Sequence, residues 1–169
     1  METIIRKATP QDAKGITWVH LRSWETTYGD VFPASVFESR EKNKEKSESS
    51  WAQSLQNPQH NTYVAEQAGK VVGFMTFNAV SRNPSFANHT EMPAVYILKD
   101  FQGQGLGKKF FDIAKSLTQK FGKNKMMLNV LTTNPSKKFY EKMGGKAVAK
   151  ANISVAGQLY MEDVMEFNF

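Results

Sequence analysis

The chain has 169 residues, enough for one domain, 1–169, that buries about 70% of the surface its unfolded form exposes. It contains no cysteine, which excludes a disulfide framework, a thiolate zinc site and a cysteine nucleophile and makes a reducing, cytoplasmic setting the expectation. The balance of 22 Lys+Arg against 16 Asp+Glu gives a net charge of +6, but no basic helix interleaved with aromatics and no paired Cys/His ligands accompany it, so nucleic acid is not expected as a partner. No apolar run approaches the roughly 20 residues of a membrane span and none at the start has signal-peptide length, so a soluble protein without a membrane partner is expected.

In chain order, Thr3 to Ala8 reads as a strand, and Thr9-Pro10-Gln11-Asp12 carries the marks of a helix start: a capping threonine, a proline at the first helical position and an acid near the positive end of the dipole. Ala13, Ile16, His20, Trp24 and Tyr28 then recur at three- and four-residue spacing, an apolar and aromatic helix face that ends at Gly29 to Pro33. A second helical region has Val36 and Phe37 near its start and Trp51 and Leu55 near its end. Between them the mixed charges of Glu38 to Ser50 read as a solvated face or a mobile connection.

Asn61 to Gln67 and Val71 to Ala79 are strand-like, with Ala68-Gly69-Lys70 as a hairpin turn. After a loop over Ser81 to Asn88, Met92 to Leu98 reads as a largely buried strand. A glycine-rich stretch follows, and Leu106, Phe110, Ile113, Ala114, Leu117 and Phe121 then keep helical spacing up to Gly122. Met126 to Leu131 is a strand, Pro135 to Met143 a helix ending at Gly144-Gly145, and Lys146 to Ile153 with Leu159 to Phe167 a closing strand pair. The order β-α-α-β-β-β-α-β-α-β-β predicts an α/β fold: one mixed sheet with helices on both faces.

The buried strand that runs into Gln102-Gly103-Gln104-Gly105-Leu106-Gly107-Lys108 and opens a helix is suited to a polyphosphate. Glycine lets the backbone approach an anion, and unpaired amides at the helix N-terminus point at it. A plain helix-entry turn would use the same glycines. The G-x-G-x-G spacing does not fit the dinucleotide G-x-G-x-x-G, and Lys108-Lys109 is not followed by the Ser or Thr of a P-loop. Lys99, Lys108, Lys109 and Lys115 place positive charge around the same stretch.

Gln102, Gly105 and Gly107 satisfy [RQ]-x-x-G-x-[GA], and in this the chain resembles the GNAT superfamily of N-acetyltransferases. Two further stretches are similar to that family. One is Asn134-Pro135-Ser136-Lys137-Lys138-Phe139-Tyr140-Glu141-Lys142-Met143-Gly144-Gly145; the other is His20, Ser23-Trp24, Thr27-Tyr28, Pro33 and Trp51, as in a bacterial subgroup with an aromatic first helix. Lys99 stands where a proline often precedes the motif, Gly145 where a phenylalanine is usual, and the spacing from Asn134 to Tyr140 is one residue shorter than in many relatives.

The resemblance implies a mostly antiparallel sheet splayed between its fourth and fifth strands, and acetyl-coenzyme A as co-substrate with no metal. It implies that Val95, Tyr96 and Ile97 lie along the acetyl-pantetheine arm, that Gln102, Gly103, Gln104, Gly105, Leu106, Gly107 and Lys108 cradle the diphosphate, and that Asn134, Ser136 and Tyr140 contact the coenzyme. Tyr140 would protonate the departing thiolate; a core tyrosine at helical spacing is the other account of it, as simple capping is of Asn134. Glu91 would serve as a base directly or through water, or stand as an exposed strand-end carboxylate. His20, Trp24 and Tyr28 would wall the acceptor pocket, with core filling as the other account of Trp24 and Tyr28; His20 titrates in the useful range, and a packed, hydrogen-bonded histidine is the plainer account. The expected activity is acetylation of a small-molecule amine. Acetylation of a protein N-terminus or lysine, for which Glu38, Glu41, Glu45 and Glu48 would supply an acidic groove, and a non-catalytic coenzyme A sensor remain as alternatives, and the family allows a homodimer.

Overall fold

The structure, a computed structural model, describes residues 2–169. In chain order the elements are β1 (Ile4–Lys7), α1 (Ala13–Tyr28), α2 (Ala34–Lys42), α3 (Lys44–Ser54), β2 (Thr62–Gln67), β3 (Lys70–Asn78), β4 (Thr90–Ile97), α4 (Leu106–Lys120), β5 (Lys125–Leu131), α5 (Lys137–Lys142), β6 (Lys146–Val155) and β7 (Gln158–Asn168). The strands form a 7-stranded open sheet in the order β1-β2-β3-β4-β5-β7-β6. Pairing is antiparallel for β1–β2, β2–β3, β5–β7 and β6–β7, and parallel for β4–β5. This is the mixed α/β fold that the sequence predicts.

Three local departures have physical reasons. The first helix begins as a 3-10 turn over Pro10–Asp12, because the Asp12 carboxylate accepts the Thr9 N–H at 2.7 Å while pairing with the Arg6 guanidinium at 2.8 Å. The second helical region is broken at Asn43, whose side chain donates to the Ser39 carbonyl at 2.7 Å; asparagine competes with the helix for backbone groups in this way. The expected helix over Pro135 to Met143 contracts to α5, because Asn134 and Pro135 form a preceding turn in which the Asn134 side chain accepts the Ser136 N–H at 2.9 Å.

Contacts divide the chain into two compact units, one built from the described residues up to Thr76 with Ala94–Phe110, the other from Phe77–Pro93 with Phe111–Phe169. In the first, Ala8, Ile16, Val19, Leu55, Val64 and Phe74 are buried together, with Trp51, Val71, Ala94, Tyr96 and Leu98 packed on them. Of the expected face of α1, Ala13, Ile16, Trp24 and Tyr28 are buried and His20 is half-buried. The β2–β3 hairpin turns through Ala68 and Gly69, both at positive φ, the pairing of dihedrals that matches the strands' twist.

In the second unit, Met126, Met127, Leu128, Val164, Met165 and Phe167 are buried, and Phe111 packs edge-on to Phe167 with centroids 4.9 Å apart. Asp163 on β7 is fully buried and binds Lys137 of α5 at 2.7 Å and Lys150 of β6. Those two ammonium groups hold its carboxyl below the usual carboxylate range, and they fasten α5 to the β6–β7 hairpin. Gly145 leaves no room for a side chain: an added Cβ would lie 2.7 Å from the Phe167 ring and 2.9 Å from the Tyr140 carbonyl oxygen. Gly145→Ala is expected to destabilise the protein by about 1–3 kcal/mol through overpacking, read as a lower urea midpoint with an unchanged slope; an unchanged midpoint would refute this packing.

Candidate active site

The site is built on the last residues of β4. Neighbouring residues of a strand turn their peptide groups to opposite edges. The Leu98 N–H donates to the Val72 carbonyl of β3 at 3.0 Å, so the even-numbered peptides before it, Tyr96 and Ala94, also turn toward β3. Glu91, Pro93, Val95 and Ile97 turn to the other edge, which carries the parallel ladder. That ladder pairs Thr90 with Met126 and Glu91 with Met127. The next residue on this edge is Pro93, which has no N–H to donate, and the ladder stops there.

Beyond the strand, the Gln102 side chain donates to the Ile97 carbonyl at 2.9 Å and the Gln104 side chain to the Asp100 carbonyl at 3.0 Å. Both glutamines therefore staple the turn to itself. Gly103 and Gly105 take φ of +73° and +80°, and a Cβ at either would meet nothing within 4 Å. Conformation rather than crowding requires glycine here, and the space in front of the turn is open. The first helical bond of α4 runs from the Lys109 N–H to the Gly105 carbonyl at 3.1 Å. The amides of Leu106 and Gly107 precede it, at the positive end of a 15-residue helix. Such an end is ready-made for an anion. Lys108 is exposed beside it.

In the same unit the expected pocket residues come together around Tyr96. The Trp24 indole N–H donates to the Tyr96 hydroxyl at 3.0 Å. The His20 ring lies 4.8 Å from the Tyr96 ring and 5.9 Å from that of Trp24, and Tyr28 meets Trp24 at 5.3 Å. Phe32, Phe74 and Trp51 complete the cluster. Burial, aided by the nearby Arg40 charge, lowers His20 to about 4. This corrects the expectation that His20 titrates in the useful range: it is a neutral imidazole at pH 7, packed among rings. Arg40 lies over the Trp24 ring, 3.4 Å from its centroid.

The remaining expected residues belong to the second unit. Glu91 is not an exposed carboxylate; it is 6% exposed. Arg82 grips it with Nη2 at 2.8 Å, Nε at 3.1 and 3.2 Å and its backbone N–H at 2.9 Å, and Asn78 adds a bond at 3.4 Å. Burial pushes the Glu91 carboxyl up, but these donors outweigh it and hold the group below its ordinary range. A carboxylate so occupied is a poor proton acceptor, and its geometry is that of an anchor between the Ser81–His89 loop and β4. Tyr140 is buried on α5, edge-on to Phe139 at 5.5 Å and to Phe167 at 6.4 Å. Asn134 and Ser136 sit in the turn before it, joined by the bond already described.

Against known proteins, residues 18–145 match the acetyltransferase (GNAT) family. The chain belongs to that family. As a GNAT protein it is an acyltransferase, and it is 31% identical over 155 residues to the uncharacterized N-acetyltransferase YuaI of Bacillus subtilis strain 168, covering 90% of this chain and 86% of that one. Among solved structures, the PaiA N-acetyltransferase of Thermoplasma acidophilum in complex with coenzyme A superposes with a TM-score of 0.78 at 22% identity over 100% of both chains. YncA of Salmonella typhimurium, with its cofactor acetyl-CoA, gives 0.70 at 20% identity over 99% of this chain and 94% of that one. These two likenesses carry the fold.

The GNAT signature residues are thus placed at a strand-to-helix turn, while Arg40 and Arg82 are functional-looking groups that the reading of the sequence passed over. Arg40 carried a signal: it falls four residues after buried Val36 and three after half-buried Phe37, on the inward stripe of α2. Arg82 carried none, since its pairing with Glu91 depends on how the loop returns. Because the folded-state value of Glu91 lies below the ordinary 4.5, its contribution to stability is full above that value and is lost as pH falls through and below it. Wild type is therefore expected to exceed Glu91→Gln in urea midpoint at pH 7, with the gap closing in acid. A gap that stays constant or widens as pH falls would contradict this account of Glu91.

Proposed function

We propose that the protein transfers the acetyl group of acetyl-coenzyme A to the amine of a small molecule. The observation that carries the reading is the run from the part of β4 beyond its Thr90 and Glu91 pairing with β5, through two left-handed glycines, into the first turn of α4. It offers polar main-chain groups to an extended thioester arm and then anion-binding amides to a diphosphate. The coenzyme complexes of PaiA and YncA belong to proteins of the same fold. The lysines about the turn add the matching charge.

In the reaction the amine nitrogen attacks the thioester carbonyl carbon, the C–N bond forms, the C–S bond breaks, and the sulfur leaves as a thiolate that takes up a proton. The nitrogen must lose one proton in return. Main-chain N–H groups at Val95 and Ile97 are suited to the oxygen on which negative charge develops, and a donor so fixed contributes about 2.7–4 kcal/mol. We assign the proton on sulfur to Tyr140, whose ring is fixed by Phe139 and Phe167 and whose helix is fastened by Lys137 to Asp163. With Glu91 occupied by Arg82 and His20 held near 4, the amine is best presented as the free base, which the aromatic surroundings and the Arg40 charge favour over ammonium. The pocket groups of the first unit suit a small acceptor: rings and one cation rather than the acidic groove a basic protein tail would need. Cytoplasmic operation follows from the same choice of co-substrate.

Tyr140→Phe is expected to cut turnover about 100-fold or more, as loss of a positioned proton donor does, with acetyl-coenzyme A affinity changed by less than a factor of three. Thiol release measured over a panel of amines and peptides against a no-acceptor blank reads both the turnover and the acceptor class. Unimpaired turnover in the variant removes Tyr140 from the chemistry, and release with peptides alone replaces the small amine by a protein acceptor.

A further inference from the structure

The chain has four arginines: Arg6, Arg22, Arg40 and Arg82. Three are neutralised. Arg6 binds Asp12 and Glu66, Arg22 binds Glu25 and Glu41, and Arg82 binds Glu91. Arg40 is the exception among the described residues: it has no carboxylate within salt-bridge distance, although Glu38 and Glu41 lie two and one positions away on the same helix. Glu41 is taken by Arg22 at 2.5 Å, and Glu38 is exposed.

Arg40 is also not a solvated surface charge. Its guanidinium plane lies on the Trp24 ring at 3.4 Å, it neighbours His20 and Tyr96, and it is half-buried. Burial works against its charge, which the Tyr96 oxygen partly offsets, yet a guanidinium keeps its proton at neutral pH. Stacking leaves the guanidinium's edge N–H groups as the hydrogen-bonding surface, a planar fork that fits an oxyanion with two oxygens. A desolvated cation without a counter-ion is costly unless something supplies one.

We infer that the acceptor supplies it: the amine this enzyme acetylates carries an oxyanion, foremost a carboxylate, which Arg40 binds while the aromatic cluster around Tyr96 holds the rest of the molecule. This rests on the acetyltransferase reading above and narrows its acceptor. Tyr96 links the cluster to the strand, since its side chain meets Trp24 and His20 while its chain neighbours Val95 and Ile97 lie on the part of β4 beyond the β5 pairing. An acceptor anchored at Arg40 therefore has its amine directed toward the residues assigned to the thioester. A polyamine is disfavoured by the same arrangement, because the cluster offers it a cation and no carboxylate.

The test compares matched pairs in the thiol-release assay: L-phenylalanine with phenethylamine, L-glutamate with 4-aminobutyrate and propylamine, and spermidine as polycation, with 1-amino-2-phenylethylphosphonate to separate a carboxylate from a phosphonate acceptor. The expected result is a kcat/KM at least tenfold higher for the anionic member of a pair. Arg40→Gln should remove that preference, raising KM for the anionic acceptor roughly 10–100-fold, the range of a charge-assisted hydrogen bond, and Arg40→Lys should recover part of it. Thermal shift with the same amines in the presence of coenzyme A gives a second readout that needs no turnover. Preference for the uncharged or polycationic amines by the wild type, or a preference for anions that survives in Arg40→Gln, overturns the inference. So does the absence of any stabilisation by an anionic amine. Titration of wild type with acetyl-coenzyme A separates the two levels: failure there sinks the transferase reading, whereas normal binding with no anion preference sinks only the role of Arg40.

Discussion

The molecule depends on one local constraint, the loss of pairing along one edge of β4. Proline at position 93 removes the donor that would continue the parallel ladder after Glu91, and the peptides of Val95 and Ile97 are left on an edge turned away from β3. A strand edge of this kind is ordinarily a liability, because its polar groups need partners. Here the chain holds it open. Gln102 reaches back to the Ile97 carbonyl, Gly103 and Gly105 turn the backbone through the left-handed region, and α4 makes its first bond from the Lys109 N–H to the Gly105 carbonyl. The strand end, the turn and the start of the helix follow one another directly along the chain, and two glutamine staples and two left-handed glycines set their geometry.

Within each unit the charges are distributed by burial and pairing. Glu91, Asp163 and Asp12 are buried carboxylates, each held ionised by basic partners, and each ties a loop or helix to a strand. They are anchors because each carboxylate is committed to its basic partner. The aromatic cluster is the opposite case: His20 is neutral, the Trp24 indole N–H donates to the Tyr96 hydroxyl, and the Arg40 charge over Trp24 has no carboxylate partner among the described residues. Chemistry is expected where polar groups remain uncommitted, and in this protein those groups lie on the strand edge, the helix end and the stacked guanidinium.

Much of this was legible in the sequence. The periodicities of α1 and α4, the hairpin at Ala68-Gly69, the glycine turn and the succession of strands and helices along the chain all follow from patterns a few residues long, where local propensity and tertiary packing agree. The same holds for His20, Trp24 and Tyr28, which share a helix face and do meet. Long-range pairing is a different matter. Glu91 looked like a strand-end carboxylate because nothing near it in sequence announces Arg82, and the mixed charges of Glu38 to Ser50 concealed Arg40, since one inward residue among many outward ones barely changes a composition. Gly145 could be seen as a departure from the family, but its reason, the ring of Phe167, lies 22 residues away on another strand.

The central claim is that main-chain nitrogens between Gly103 and Gly107 grip a diphosphate, and calorimetric titration with acetyl-coenzyme A of the wild type and of Gly105→Val tests it most directly. An added Cβ meets nothing within 4 Å, so the substitution acts through the left-handed conformation that only glycine adopts readily, at a cost of about 1–2 kcal/mol. The account predicts saturable binding by the wild type and at least tenfold weaker binding by the variant, with unchanged circular dichroism. Equal affinity in both proteins, or no heat of binding in the wild type, would contradict it.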